Sequence, residues 1–117
     1  MERDQAGGID DPGAIDEVRV PARGTVELII RQRGGWDGSD QRQILLQEKL
    51  NRYLEHVVDG ELVAEHPVAE GRRWVVVIEC DAAPDPRTMA YLQEADRELR
   101  RAGGGGATVR QLQAPGQ

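Results

Sequence analysis

The sequence has few of the residues that mark a secreted or membrane protein. Cys80 is the only cysteine among 117 residues, so an intrachain disulfide is excluded. No apolar run approaches the roughly 18 residues that suggest a membrane-spanning helix. The first residues, MERDQAGG, also lack the basic and then apolar pattern of a signal peptide. We therefore expect a cytoplasmic protein that does not contact a membrane.

Aromatic side chains and positive charge are also scarce. The chain has no Phe, two Trp and two Tyr, which predicts a core of Val, Ile and Leu. Its net charge is -6, and a single Lys accompanies its arginines. Because nucleic-acid binding draws on a basic surface that releases counterions, we expect no nucleic-acid partner.

The length predicts one domain, since single domains usually have about 100 to 150 residues. The two ends are rich in Gly, Pro, Asp and Gln, a composition that favours fraying. We therefore predict a flexible N-terminal segment over residues 1–13, a single α+β domain over residues 14–113 and a disordered tail over residues 114–117.

The first half of the domain predicts a hairpin and a helix. In Thr25–Arg31 apolar and polar residues alternate as in a half-buried strand, and Ile15–Pro21 is its expected hairpin partner. Ser39 and Asp40 are candidate N-caps of a helix that ends at Gly60. One face of this helix carries an apolar stripe formed by Leu46, Leu50, Tyr53, Leu54 and Val57.

The second half predicts two further strands, a helix and a last strand. Glu61–His66 alternates and is predicted as an edge strand, and the apolar run in Arg73–Cys80 predicts the central strand. The second helix begins near Asp85 and Pro86 and ends at Gly103. The glycines at 103–106 are expected to form a flexible loop before a strand at about Thr108–Leu112.

The order is therefore ββαββαβ. It predicts a two-layer α+β sandwich with a mainly antiparallel sheet and two helices on one face, of which a ferredoxin-like variant is one version. The predicted hairpin would change the strand order of that fold, so the order stays open.

The candidate reactive residues are scattered in the sequence. His56 lies on the first helix, whereas His66 and Cys80 each end a predicted strand, and no metal-binding spacing joins them. Cys80 is expected to be a small core residue. Glu79 and Asp81 are expected to be ordinary rim charges. We predict no catalytic residue, metal or cofactor.

Trp36 is the main candidate for an interaction residue, because it lies in a glycine-rich break between a strand and a helix. Its indole either folds back over the core or stays exposed as an anchor. Ile44 and Leu45 lie off the apolar stripe nearby, so the three residues form a candidate contact patch. The lid over the core is the favoured of the two interpretations.

Several runs resemble a family of small bacterial proteins that is catalogued only as a domain of unknown function. The similarity rests on the runs IDDP at 9–12, LQEKLNRYL at 46–54 and DGEL at 59–62, and it spans about residues 9–112. The resemblance implies no activity and no catalytic residue. Within it, Gln47 and Asn51 flank the apolar stripe and Lys49 lies on its other side. We predict that they bond the neighbouring loop or the segment around Asp10 and Asp11, with a binding site as the alternative.

Taken together, these features favour a non-enzymatic module that binds another protein, or itself, through a sheet edge or the Trp36 patch. One alternative is an acidic antitoxin or immunity-type protein, which is suggested by size and charge. Another is a small ligand-binding enzyme with a pocket between the first helix and the sheet.

Overall fold

The computed structural model describes Ile9, residues 11–33 and residues 36–112. Within this part of the chain, four strands and three α-helices form around one hydrophobic core. The elements are β1 (Glu17–Arg19), β2 (Val26–Gln32), α1 (Asp40–Val58), α2 (Glu61–Glu65), a 3₁₀ turn (Pro67–Ala69), β3 (Trp74–Cys80), α3 (Pro86–Arg101) and β4 (Ala107–Gln111).

The four strands form one mixed sheet in the order β1-β2-β3-β4. β1 pairs antiparallel with β2, as the predicted hairpin requires. β3 is parallel to both of its neighbours, and α1 and α3 supply the long crossovers that parallel pairs need. The α+β class is therefore confirmed. The expectation of a mainly antiparallel sheet, with its ferredoxin-like variant, is wrong.

The edge strand predicted at Glu61–His66 is a helix. Gly60 adopts a left-handed conformation (φ 84°) that ends α1, as predicted, and the chain then turns directly into α2. Leu62 of α2 is buried in the core. In a segment of six residues, the alternation of apolar and polar side chains is compatible with a short helix as well as with a short strand. The pattern therefore did not distinguish a helix from a strand here.

All three helices pack on one face of the sheet, which we call the helix face. β3 lies between β2 and β4, as its apolar run predicted, and it brings its even-numbered residues to this face. The cap predictions also hold, because Ser39 accepts a hydrogen bond from the Arg42 N–H and Asp85 accepts one from the Thr88 N–H. The core of the helix face consists mainly of Val26, Leu28, Ile30, Leu46, Leu50, Tyr53, Leu62, Trp74, Val76, Ile78, Leu92, Ala95 and Leu99.

The segment before β1 is anchored to the domain where the structure describes it. Ile9 is fully buried in the core, and Gly13 accepts a hydrogen bond from Arg52. The flexibility of residues 1–13 stays a prediction. Residues 1–8 and 10 of that prediction, and the predicted tail at 114–117, lie outside the described residues.

The loop between α3 and β4 is closely packed. Gly106 has φ +90°, and a Cβ atom there would lie 2.0 Å from Oδ1 of Asp96. The predicted loop is present at this place, but Gly106 is needed there because helix and loop approach each other closely.

Among the described residues, no helix has both the length and the apolar character that crossing a membrane requires.

Candidate functional site

The predicted reactive residues are not assembled into a chemical site. Cys80 is buried, and its burial raises the pKa of the thiol, which keeps it protonated at neutral pH. His66 is half-buried at the end of α2, beyond the helix that carries His56. Within the described part of the chain, no group of three or more His, Cys, Asp or Glu side chains could hold a metal ion.

His56 instead joins α1 to α2. It is 2% exposed, and its Nδ1 lies 2.9 Å from Oε1 of Glu61. The hydrogen bonds from His56 and Arg52 lower the pKa of Glu61. This arrangement holds the short helix against the long one, so we assign His56 a structural role.

The Trp36 patch is only partly exposed. The indole N–H of Trp36 donates to the carbonyl of Ala82 at 3.1 Å, and its ring packs against the core together with Leu45. Ile44 is the exposed member, at 54%. The geometry of Trp36 is that of a lid, which leaves a smaller apolar surface than three exposed side chains would give.

The three residues of the polar motif divide between surface and interior. Gln47 and Asn51 are exposed and line a cleft of about 370 Å³ between α1 and α3. Lys49 is fully buried on the opposite side of α1. Its ammonium group donates to the carbonyls of Asp11 and Ala14 at 2.9 and 2.7 Å. Asp10 lies outside the described residues.

Lys49 is part of a buried polar network. Its Nζ lies 2.7 Å from Oδ1 of Asp16, whose side chain is 3% exposed. Asp16 also accepts the backbone N–H of Arg31, and its own N–H donates to the Tyr53 hydroxyl. The Tyr53 hydroxyl in turn donates to the carbonyl of Ile29, and burial raises the Tyr53 pKa. The network therefore fastens the segment before β1 to both α1 and β2.

The other face of the sheet carries a cluster of arginines and glutamates. Glu79 is 5% exposed at its centre, and Oε2 of this carboxylate lies 3.4 Å from Arg19 and 3.1 Å from Arg110. Arg110 also donates to Glu27 at 2.7 Å, which lowers the Glu27 pKa. We call the set the charged cluster; its members are Glu17, Arg19, Glu27, Arg31, Glu79 and Arg110.

β4 is an edge strand of the sheet, and the backbone groups on its outer side point away from β3. The Gly106 carbonyl accepts the Val76 N–H, and the Leu112 N–H donates to the Cys80 carbonyl. The even-numbered residues of this segment therefore bond to β3, and the odd-numbered residues Ala107, Val109 and Gln111 direct their backbone groups outward. The sequence favoured a sheet edge as a contact surface but carried no signal that identified β4 as an edge strand.

A groove of about 580 Å³ follows this edge on the helix face, between β4 and α3. Ile78, Leu92 and Val109 form its apolar floor. Exposed Arg97 and Arg100 stand on its rim. We call β4 and this cavity together the edge groove. Neither the edge groove nor the cleft between α1 and α3 is lined by His56, Cys80 or Glu79.

Asp96 connects the two walls of the edge groove. Its Oδ1 accepts the Ala107 N–H at 2.9 Å, and its Oδ2 accepts Nε of Arg100 at 3.0 Å. The hydrogen bond from Ala107 lowers the pKa of Asp96 most, and the bond from Arg100 lowers it further. The carboxylate thereby fixes the beginning of β4 to the last turns of α3.

We predict that this bond makes the edge groove sensitive to acid. A lowered pKa in the folded chain means that ionised Asp96 stabilises the fold above the ordinary aspartate value, about 3.9. This stabilisation is lost as the pH falls from that value through the lower folded pKa. The difference in unfolding free energy between wild type and Asp96→Asn should therefore be constant near neutrality and shrink below about pH 4.

Urea denaturation of both proteins across this pH range measures the difference. Glu94→Gln, which removes an exposed carboxylate from the same helix, serves as the control. A difference that stays constant down to the lowest pH would contradict the role given to Asp96.

The fold and the edge groove define a small two-layer α+β protein. Its described helices cover one face of a mixed sheet, and one parallel edge strand is bordered by a groove. Residues 8–106 match DUF6572, a family of unknown function, and the chain belongs to this family. The matched range ends at Gly106, directly before β4. No curated protein and no solved structure matches the chain.

Proposed function

We propose that this protein is a non-enzymatic interaction module that binds another protein along the edge groove. The observation that carries the proposal is the outward-facing backbone of β4 beside an apolar groove. Edge strands offer N–H and C=O groups that can pair with an added strand, and an adjoining pocket selects the side chains of that strand.

The geometry of β4 limits where pairing would occur. The Ala107 N–H is already bound to Asp96, so the available donors on the outer edge are Val109 and Gln111. Gln111 is exposed and Val109 is half-buried over the groove floor. A partner strand would therefore align beside the second half of β4.

The competing interpretations have less support in the described residues. The Trp36 patch has one strongly exposed member, Ile44, and the Trp36 N–H already has a protein acceptor. An enzyme would need reactive groups that meet in a cavity, and neither the edge groove nor the cleft between α1 and α3 is lined by His56, Cys80 or Glu79. The antitoxin alternative still rests on size and charge alone.

Replacing Val109 with Pro tests the proposal, because it removes an outward N–H and leaves the bonds between β4 and β3 in place. Val109→Ala is the matched control, since it also shortens the side chain but keeps the N–H. The tagged chain is used to capture partners from a lysate of the native host, and quantitative mass spectrometry compares the variants. We expect at least one partner that Val109→Ala retains and Val109→Pro loses.

Thermal unfolding first establishes that both variants are folded. Ile44→Ser is included to examine the Trp36 patch. A partner that is lost with Ile44→Ser and retained by Val109→Pro would contradict the edge groove as the contact site.

A further inference from the structure

The charges around the edge groove indicate what kind of strand would bind there. On the helix face, the carboxylate of Asp96 is occupied by Ala107 and Arg100. The guanidinium of exposed Arg97 donates no hydrogen bond within the described part of the chain, and the Arg100 side chain is 59% exposed. The rim of the groove therefore carries positive charge, although the chain as a whole has a net charge of -6.

The opposite face of the same edge is also lined by arginine. Arg110 lies on β4 and is 40% exposed. Its guanidinium is already bonded to the two carboxylates near it, Glu27 and Glu79, so the charges on this face are paired. Side chains of an added strand alternate between the two faces of a sheet. Successive side chains of that strand would therefore meet Arg97 and Arg100 on the helix face and the paired charges around Arg110 on the other face.

A second copy of this chain fits these charges poorly. Pairing β4 with its own copy would bring Arg110 toward the neighbouring edge from both sides, and each α3 would add Arg97 and Arg100. In the described part of the chain, the carboxylates of Asp96, Glu27 and Glu79 beside β4 are already bonded to arginine or to backbone. Like charges that face each other across an interface weaken association.

We propose that the partner of the edge groove is an extended, acidic segment of another protein, which adds to the sheet beside β4. Its apolar residues lie over Ile78, Leu92 and Val109, and its carboxylates pair with the exposed Arg97. This inference rests on the proposed function, because it names the chemistry of the partner at the same surface.

Selection of short random peptides, displayed on phage, tests this partner chemistry on the intact wild-type chain. We expect enriched peptides in which Asp or Glu recurs between β-branched or aromatic residues, and we expect Val109→Pro to abolish their binding. Fluorescence anisotropy then compares the best peptide with a version in which Gln and Asn replace its acidic residues. The amide version should bind about tenfold more weakly, the effect of losing one charge-assisted hydrogen bond.

Two arginine variants of α3 identify which side chain causes the preference for the acidic peptide. Arg97→Gln should remove most of the difference between the two peptides. Arg101→Gln should keep it, because Arg101 pairs with Glu98 and does not line the edge groove.

Three outcomes would overturn the inference: enrichment of basic or uncharged peptides, the absence of any peptide sensitive to Val109→Pro, or a wild-type dimer in sedimentation that Val109→Pro dissociates. A partner captured from the lysate through the edge groove would still support the proposed function in each case, so the two failures can be told apart.

Discussion

Replacing Lys49 with Met should lower the free energy of unfolding by about 3 to 5 kcal/mol, the loss expected when one member of a buried ion pair is removed. The Asp16 carboxylate, whose side chain is 3% exposed, would lose the ammonium group that lies 2.7 Å from it. The carbonyls of Asp11 and Ala14 would lose the same donor. Urea denaturation at neutral pH measures the loss.

Two further variants separate charge from packing. Arg52→Met removes a cation one turn further along α1. Because the Arg52 side chain bonds Gly13 in partial contact with solvent, this substitution should lower the free energy of unfolding by less than about 1 kcal/mol. In Lys49→Met with Asp16→Asn, neither charge of this buried pair remains, so part of the stability should return. A double variant no more stable than Lys49→Met would show that the buried charge is not the cause.

Gly106→Ala should cost about 3 kcal/mol, because two penalties add. A left-handed conformation costs a residue with a Cβ atom about 1 to 2 kcal/mol, and displacing Asp96 from its contact adds a cost comparable to overpacking, about 1 to 3 kcal/mol. The new Cβ would lie 2.0 Å from Oδ1 of Asp96, which also holds the Ala107 N–H.

Gly103→Ala is the matched control in the same loop. Gly103 also has a positive φ, +98°, but no atom lies within 4 Å of the Cβ position. Its substitution should therefore cost about 1 kcal/mol, the conformational penalty alone. Equal losses in the two variants, measured by urea denaturation, would mean that Asp96 moves aside without cost.

The elements with strong local signals were predictable from the sequence. The alternation in β2, the apolar run of β3 and the caps of α1 and α3 each depend on neighbouring residues. The parallel pairing was missed, although a continuous apolar run such as Trp74–Ile78 is typical of parallel strands. The strand wrongly predicted at Glu61–His66 completed the order ββαββαβ, and this order directed the interpretation toward an antiparallel sheet instead.

The edge groove could not be predicted in the same way. Arg97 and Arg100 have the pattern of ordinary exposed charges on a helix, and only the order of the strands brings them beside β4. Lys49 did carry a signal, because it lies three residues after Leu46 and four before Tyr53, on the buried side of α1. Its partner Asp16 is far away in sequence, so the ion pair depended on the fold.

Asp96 on α3 accepts hydrogen bonds from Arg100 of the same helix and from the Ala107 N–H of β4, and this has a consequence for recognition. α3 and β4, which would contact the partner segment, are already held at a fixed separation before that segment binds. The receptor then loses little conformational entropy on association, so the ordering cost falls on the incoming segment. Weakening the bond between Asp96 and Ala107 should therefore slow association with the partner segment even when Arg97 and Arg100 are unchanged.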